Sequence, residues 1–223
     1  MTLKLFIQAI VKFVLGVLLV GALIFLPAGT LCYKNGLLLM GILFVPMFAA
    51  GIVMMFKNPS LLAKRLDAKE KRGEQNLVLK LSGLMFVAGF IVAGLNFRFG
   101  WHTLPDSVSI GAAVVFLIAY VLYAEVLREN TYLSRTVEVQ VGQKVIDTGL
   151  YGIVRHPMYS ATILLFLAIP LVLGSLISFV IFLAYPFIIA VRIKGEEELL
   201  AAELSGYTAY QRKVKFRLIP FIW

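Results

Sequence analysis

Long apolar runs constrain this sequence more than any other feature. A helix needs about 20 apolar residues to cross a hydrocarbon core about 30 Å thick. Hydrophobic residues make up 61% of the 223 residues and charged residues only 15%, which excludes an ordinary soluble domain. The sequence therefore predicts an all-α fold, a polytopic helical membrane protein with about six membrane segments. The candidate segments are 5–26, 37–56, 78–97, 108–127, 160–173 and 176–191.

The last two candidate segments are short and are separated only by Gly174-Ser175. Glycine followed by serine is typical of a turn, which favours a tight helical hairpin. A single long tilted helix is the alternative, since a membrane helix that exceeds the bilayer thickness tilts to fit. The sequence leaves both possibilities open.

The 21 Lys and Arg residues are distributed unevenly among the connectors. When the N-terminus is placed in the cytoplasm, nineteen of the 21 fall on the cytoplasmic side, and only Lys34 and Arg98 fall opposite. The positive-inside rule therefore predicts that both termini lie in the cytoplasm. The net charge of +9 follows from this topology, so no nucleic-acid partner is expected.

Two connectors have patterns of their own. The basic segment 57–76 opens with Asn-Pro-Ser and predicts an interfacial helix, with a solvated connector as the alternative. The stretch "RTVEVQVGQKVIDTG" alternates apolar and polar residues, which predicts a short interfacial β-ribbon. Residues 1–124 are expected to supply N-terminal membrane helices and residues 125–223 a second region, together forming one integrated membrane domain.

Polar residues cluster in three stretches on the predicted cytoplasmic side, "EVLRENTYLSR" (125–135), "YGIVRHPMY" (151–159) and "RIKGEEELLAAELSGYTAY" (192–210). Ionisable groups beside membrane helices cost several kcal/mol unless they are paired or solvated, so we expect these stretches to face one another or a watery cavity. The third stretch also predicts a C-terminal cytoplasmic helix.

Pro157 suits the first turn of a helix and places Arg155 and His156 just before its N-terminus. A helix N-terminus and an arginine together favour a carboxylate or phosphate. Taken alone, the pair is also explained by a topology-setting arginine beside an interfacial histidine.

Glu196 and Glu197 point about 100° apart on a helix, so one Arg192 geometry does not serve both carboxylates. A second cation is therefore required. The candidates are an ammonium or sulfonium group of a ligand, Lys194, or a residue from another segment. A plain ion pair between Arg192 and Glu196, with a solvated acidic face, is the simpler alternative. With the tyrosines added, the clusters fit an amino-acid-like ligand attached to a nucleoside.

These residues resemble the isoprenylcysteine carboxyl methyltransferase type of integral membrane methyltransferase, a type related to phospholipid methyltransferases. The resemblance covers residues 125–223, and it implies that this region is the methyltransferase-like part. It implies S-adenosylmethionine as cofactor, and no metal. It assigns catalysis to Arg192 and Glu197. The implied cofactor-binding residues are Tyr151, Arg155, His156, Pro157, Tyr159, Glu196 and Glu197.

The expected function is transfer of a methyl group from S-adenosylmethionine to a lipophilic acceptor, either a prenylcysteine-like carboxylate or a lipid headgroup. The partners are then a lipophilic small molecule or lipidated substrate, and membrane lipids. An NADPH-dependent reductase of the lipid or sterol type is one alternative, because such reductases resemble this family in their C-terminal half. A non-catalytic scaffold or a transporter is another.

Overall fold

A computed structural model describes residues 2–66, 73–134 and 136–223 of the protein. These residues form helices and no strand, which confirms the all-α prediction. Apart from a single 3-10 turn at Gly149–Gly152, the helices of the described residues are α1 (Leu3–Ala28), α2 (Lys34–Lys57), α3 (Pro59–Leu66), α4 (Gly73–Phe99), α5 (Asp106–Glu129), α6 (Pro157–Val172), α7 (Leu176–Phe182), α8 (Ala184–Glu203) and α9 (Tyr207–Lys213).

Five helical segments of the described chain are long and apolar enough to cross a membrane, which fits an integral membrane protein. They are Leu3–Ala28, Lys34–Lys57, Gln75–Phe99, Asp106–Glu129 and Leu176–Glu203. The predicted segment 160–173 corresponds to α6, which has only 16 residues and is shorter than a typical membrane crossing.

The end of α6 decides between the hairpin and the single long helix. The chain turns at Gly174, whose φ of +69° lies in the left-handed region that favours glycine. The Tyr185 hydroxyl then donates to Thr162, and the Arg192 Nε donates to the Tyr159 hydroxyl. Because later residues of α8 meet earlier residues of α6, the two helices are antiparallel. The hairpin is therefore confirmed, and a single long helix is wrong.

Aromatic rings fill the space between α4 and the hairpin. The Phe86 ring makes edge contacts with Phe166 and Phe182, at centroid distances of 4.8 and 5.4 Å. Gly89 allows this approach, because a Cβ at that position would lie 2.3 Å from the Phe182 ring. A small residue on one helix thus admits a large one from the other, as membrane helix packing requires.

The connectors gather at two ends of the helix bundle. At one end, α3 joins the end of α5, since the Arg65 guanidinium donates to the Tyr123 hydroxyl. At the other end, Arg98 lies beside Gly29, and the α1–α2 connector leads to Lys34. We call these the charge-rich end and the charge-poor end, because among the described Lys and Arg residues only Lys34 and Arg98 belong to segments of the second.

The helix predicted in the connector 57–76 is formed over part of that connector. Helix α3 occupies its first half, where the Asn58 side chain accepts from the Leu61 N–H. Leu61 and Leu62 are buried against the protein, which is at odds with a fully solvated connector. Residues 67–72 of this connector lie outside the described residues.

The predicted β-ribbon is not formed in residues 136–148. The segment turns at Gly142, and the Gln140 amide donates to the Tyr132 carbonyl. No strand is formed by the described residues of this stretch. Val139 and Val145 pack instead on apolar residues of α8 and α9. The period of two is therefore used to bury one face of an irregular loop.

Candidate functional site

The N-terminus of α6 is held by the C-terminal segment of the chain. Pro157 is the first residue of the helix, as predicted, and His156 is the preceding cap residue. The backbone N–H of Arg155 donates to the Phe216 carbonyl, and that of His156 donates to the Arg217 carbonyl, both at 2.9 Å. Residues 214–217 therefore run beside 155–156 and fix the start of α6.

Glu197 is the most heavily paired acidic residue at this end. Its carboxylate accepts from Arg155 Nε at 2.7 Å and from Arg217 Nε at 2.9 Å. His156 Nε2 lies 3.1 Å from the same Oε1 atom that Arg155 contacts. Glu197 is only 5% exposed, and a buried charge needs compensation. Basic groups from two other segments provide it. The required second cation therefore comes from elsewhere in the chain.

The Arg155 guanidinium has further partners in the same segment. Its NH1 group donates to the carbonyls of Val214 and Lys215, at 2.8 and 2.9 Å. Arg155 thus joins α8 to residues 214–217 through one buried side chain. Arg155 also lines the cavity described below.

A second polar chain connects α6 and α8 beside the first. Arg192 Nε donates to the Tyr159 hydroxyl at 2.9 Å, and that hydroxyl donates to Glu196 Oε2 at 2.6 Å. No ion pair of the described residues involves Glu196. The two adjacent glutamates therefore differ, because Glu197 is paired with basic side chains and Glu196 accepts from a neutral hydroxyl.

A cavity opens between these side chains and the loop that follows α5. We call it the site cavity, and its walls include Arg192, Tyr159 and Glu196 on one side. The other side is formed by loop residues between 130 and 146, namely 130, 132–134, 136–138 and 143–146. Its free volume is about 90 Å³. Small-molecule pockets commonly measure about 300–1,000 Å³. The cavity is therefore smaller than a typical nucleoside pocket in this conformation.

Tyrosines form the far wall of the site cavity. The Asn130 amide donates to the Tyr151 hydroxyl at 3.0 Å, and the Tyr210 hydroxyl donates to the Tyr151 carbonyl at 2.7 Å. Tyr207 also lines the cavity and is 4% exposed, yet its hydroxyl has no hydrogen-bond partner among the described residues. Burial, together with the charges of Glu197 and Glu196, raises the pKa of the Tyr207 hydroxyl, which stays neutral.

The predicted site residues occupy one region of the molecule. Those that line the site cavity are Tyr151, Arg155, His156, Tyr159, Arg192 and Glu196. Pro157 starts α6, and Glu197 lies behind the cavity wall in the cluster of basic residues. The cofactor-binding and catalytic roles assigned to all eight residues stay predictions.

Three parts of the site were not predicted. Arg217 contacts Glu197 from the C-terminal segment, and its sequence signal is only one basic residue among several. Tyr207 belongs to the "GYTAY" stretch, where two tyrosines three residues apart occupy one helix face. The loop 136–146 was interpreted as a ribbon, which hid its role as a cavity wall.

The fold and the site together define an integral membrane protein with a buried charged cluster and a cavity at one end of its helix bundle. Residues 109–202 match the sequence model of the isoprenylcysteine carboxyl methyltransferase (ICMT) family. The chain is therefore ICMT-like in this region, which confirms the resemblance and supports a membrane methyltransferase. The match contains Arg155 to Glu197 but not Tyr207 or Arg217. No curated protein matches the chain.

Proposed function

We propose that the protein is a membrane methyltransferase that moves a methyl group from S-adenosylmethionine to a lipophilic acceptor in the site cavity. One observation carries this proposal. Arg192, Tyr159 and Glu196 form a polar chain on a cavity wall, within the residues that match the ICMT family. A cation, a hydroxyl and an available carboxylate at the edge of a helix bundle suit a charged cofactor and an amphipathic acceptor.

The chemistry of the cavity fits the groups of S-adenosylmethionine, which has a carboxylate, an ammonium, a sulfonium and an adenine ring. When bound, this cofactor supplies a methyl group on a positively charged sulfur. Glu196 is the carboxylate suited to the cofactor's positive charge, because Glu197 is already compensated. His156 and the N-terminal end of α6 suit the cofactor's carboxylate. Tyr151 completes the apolar wall.

Arg155, Arg217 and Glu197 act on this ligand indirectly. They hold the start of α6, the middle of α8 and residues 214–217 in one buried cluster. Pro157 fixes the first turn of α6 in the same cluster. The resemblance assigns catalysis to Glu197, and the geometry supports a positioning contribution from it.

Arg192 is the residue suited to orient the acceptor. Its guanidinium lies at the cavity wall, held by the Tyr159 hydroxyl, and is 7% exposed. It would hold an acceptor carboxylate in line with the transferred methyl group, and alignment of this kind contributes most of the catalysis in a direct displacement. With an amine acceptor, Glu196 would take the proton released.

The lipid-facing surface of α8 supports a lipophilic acceptor. Phe187 and Val191 are 76% and 58% exposed and precede Arg192 on the same helix. An acyl or prenyl tail lying along these side chains stays in the hydrocarbon region while its headgroup reaches the arginine. Each buried methylene contributes about 0.8 kcal/mol, so the tail dominates acceptor affinity.

Transfer of labelled methyl groups tests the function directly. Purified protein is incubated with labelled S-adenosylmethionine and membrane lipid extract or prenylcysteine, and the products are identified by mass spectrometry. We expect a labelled product whose apparent KM rises by orders of magnitude as the tail is shortened by several carbons. Equal activity on a tailless, water-soluble acceptor would refute the lipophilic acceptor. Absence of any labelled product with every acceptor would refute the methyltransferase.

We propose that both termini and the site cavity lie on the cytoplasmic side, supported by the distribution of Lys and Arg residues. The native Cys32 is exposed at the charge-poor end and serves as an internal reference. A membrane-impermeant thiol reagent should label Cys32 in intact cells. The variant Cys32→Ser with Val141→Cys should be labelled only after permeabilisation, since Val141 is fully exposed at the charge-rich end. The reverse pattern would invert the topology.

A further inference from the structure

The Tyr207 hydroxyl is a buried polar group without a hydrogen-bond partner among the residues that the structure describes. It lines the site cavity and is 4% exposed. A buried hydroxyl without a hydrogen bond costs about 1–3 kcal/mol. The neighbouring Tyr210 shows the usual solution, because its hydroxyl donates to the Tyr151 carbonyl. The Tyr207 hydroxyl is thus a hydrogen-bonding group that the described chain does not satisfy.

The Tyr207 ring belongs to a small apolar cluster. Leu204, Tyr207, Tyr210 and Val214 form a buried cluster, on which Val139, Val145 and Leu200 pack. The Tyr207 and Tyr210 rings lie 5.8 Å apart at a tilt of 54°. Aliphatic side chains facing a tyrosine make a slot for a planar ring, and a single hydroxyl provides its polar contact.

This slot lies at a fixed distance from the charged part of the cavity. Leu200 follows Glu196 by one turn of α8, and Leu204 is the residue that caps the end of this helix about one turn later. At 1.5 Å per residue, the apolar cluster begins about 6 Å from Glu196 along the helix and extends to about 12 Å. One ligand can therefore place a charged group near Glu196 and a ring beside Tyr207.

From this arrangement we infer that Tyr207 is a ligand-binding residue, and that its hydroxyl hydrogen-bonds to the nucleobase of a nucleoside ligand seated between the loop 136–146 and α9. The inference rests on the proposed function and goes beyond it by orienting the cofactor. The base end points toward α9, and the amino-acid end points toward Glu196 and His156. Tyr207 lies outside the residues that match the ICMT family.

Binding of two ligands distinguishes the contributions of the two ends of the cavity. Adenosine has only the nucleoside end, and S-adenosylhomocysteine has both ends. Binding of each is measured by calorimetry on the purified, detergent-solubilised protein. Tyr207→Phe should weaken both ligands by the same factor, about three- to tenfold, because one hydrogen bond is lost from each. Glu196→Gln should weaken S-adenosylhomocysteine about tenfold or more and leave adenosine within twofold.

Stability without ligand gives a readout that a purely structural tyrosine would not reproduce. Tyr207→Phe removes an unpaired hydroxyl, so the ligand-free variant should unfold at the wild-type temperature or above it. Tyr120→Phe is the matched control, because the Tyr120 hydroxyl donates to the Leu43 carbonyl at 2.8 Å, away from the cavity. That control should unfold at a lower temperature and bind both ligands as the wild type does.

Three outcomes would overturn the inference. They are unchanged binding of both ligands by Tyr207→Phe, weakening of S-adenosylhomocysteine alone, and a fall in ligand-free stability comparable with that of Tyr120→Phe. If the wild type binds S-adenosylhomocysteine and Tyr207→Phe gives any of these three results, only the role of Tyr207 is refuted. Wild-type protein that binds neither ligand refutes the proposed cofactor as well.

Discussion

The two ends of the helix bundle both bury polar side chains, but they do so in different ways. At the charge-poor end the groups are neutral and bond to backbone carbonyls. The Tyr33 hydroxyl donates to Leu173, Ser109 donates to Leu171, and the Asn96 amide donates to His102. Each bond connects a side chain to a neighbouring segment and gives its buried polar atom a partner.

The charge-rich end buries charged groups and leaves two polar atoms unpaired. Arg155, His156, Arg192 and Glu197 are each at most 9% exposed. The buried atoms without partners in the described chain are the Tyr207 hydroxyl and the Gln75 Oε1. Buried charge and unpaired polar atoms reduce stability, so a fold retains them where a ligand uses them. This contrast supports the proposal that the charge-poor end stabilises the bundle and that the charge-rich end holds the reaction site.

The largest effect is expected from Arg192→Ala at the charge-rich end. Losing the group that aligns the acceptor should lower kcat by about 100-fold or more, with cofactor affinity changed only a few-fold. Turnover and S-adenosylmethionine binding are measured on the same preparation. Arg98→Ala, at the charge-poor end, is the matched arginine control and should keep wild-type turnover. A normal kcat in Arg192→Ala would contradict the proposed acceptor role.

Glu197→Gln should produce the next largest effect, on both stability and binding. Arg155 and Arg217 lose their anionic partner, and breaking a buried ion pair on one side costs about 3–5 kcal/mol. The displaced C-terminal segment should also weaken S-adenosylmethionine binding about tenfold. Glu198→Gln removes the same charge from the next, exposed residue and should change neither quantity. Equal unfolding temperatures for the two variants would show that the Glu197 cluster is not structural.

The sequence predicted the helical elements and the neighbourhood of the site well. Apolar runs set the membrane helices, because the hydrocarbon core allows few alternatives. Pro157 correctly marked the start of α6, since its missing N–H suits that position. The clusters around Arg155 and Glu197 also met as expected, because unpaired charges at this depth need partners.

The partners themselves could not be predicted, because they depend on tertiary contacts. Nothing local to "GEEELL" indicates that Glu197 meets Arg217 and that Glu196 meets Tyr159. Gly195 illustrates the same limit. It lies inside α8, where a Cβ would lie 2.5 Å from the Gln75 amide nitrogen. The glycine makes room for a side chain from α4.

Tyr33→Phe tests the structural role of the charge-poor end. The variant removes the hydroxyl that bonds to the Leu173 carbonyl but keeps the ring, which stacks on Phe97 at a centroid distance of 4.1 Å. The unpaired buried carbonyl should cost about 1–3 kcal/mol of stability. Methyl transfer by the folded variant should remain at the wild-type rate. A loss of turnover without a loss of stability would place part of the chemistry at this end.

The smallest effect is expected at the surface of the charge-rich end, where Lys213 Nζ donates to Asp147 Oδ2 at 2.7 Å. This bond and the Lys213 charge lower the pKa of Asp147 below its ordinary value. The pair therefore stabilises the loop above that ordinary pKa of about 3.9, and the contribution is lost as the pH falls through the lowered value. The groups are 42% and 66% exposed, so solvent screens them strongly.

At pH 7, Asp147→Asn should change hydrogen exchange of residues 144–148 by a few-fold at most. Lys213→Gln should give the same change, and the double variant should add nothing, because both substitutions remove one interaction. Additive effects would mean that the two residues act on the loop separately, and a large loss of cofactor binding would mean that this surface pair belongs with the buried cluster.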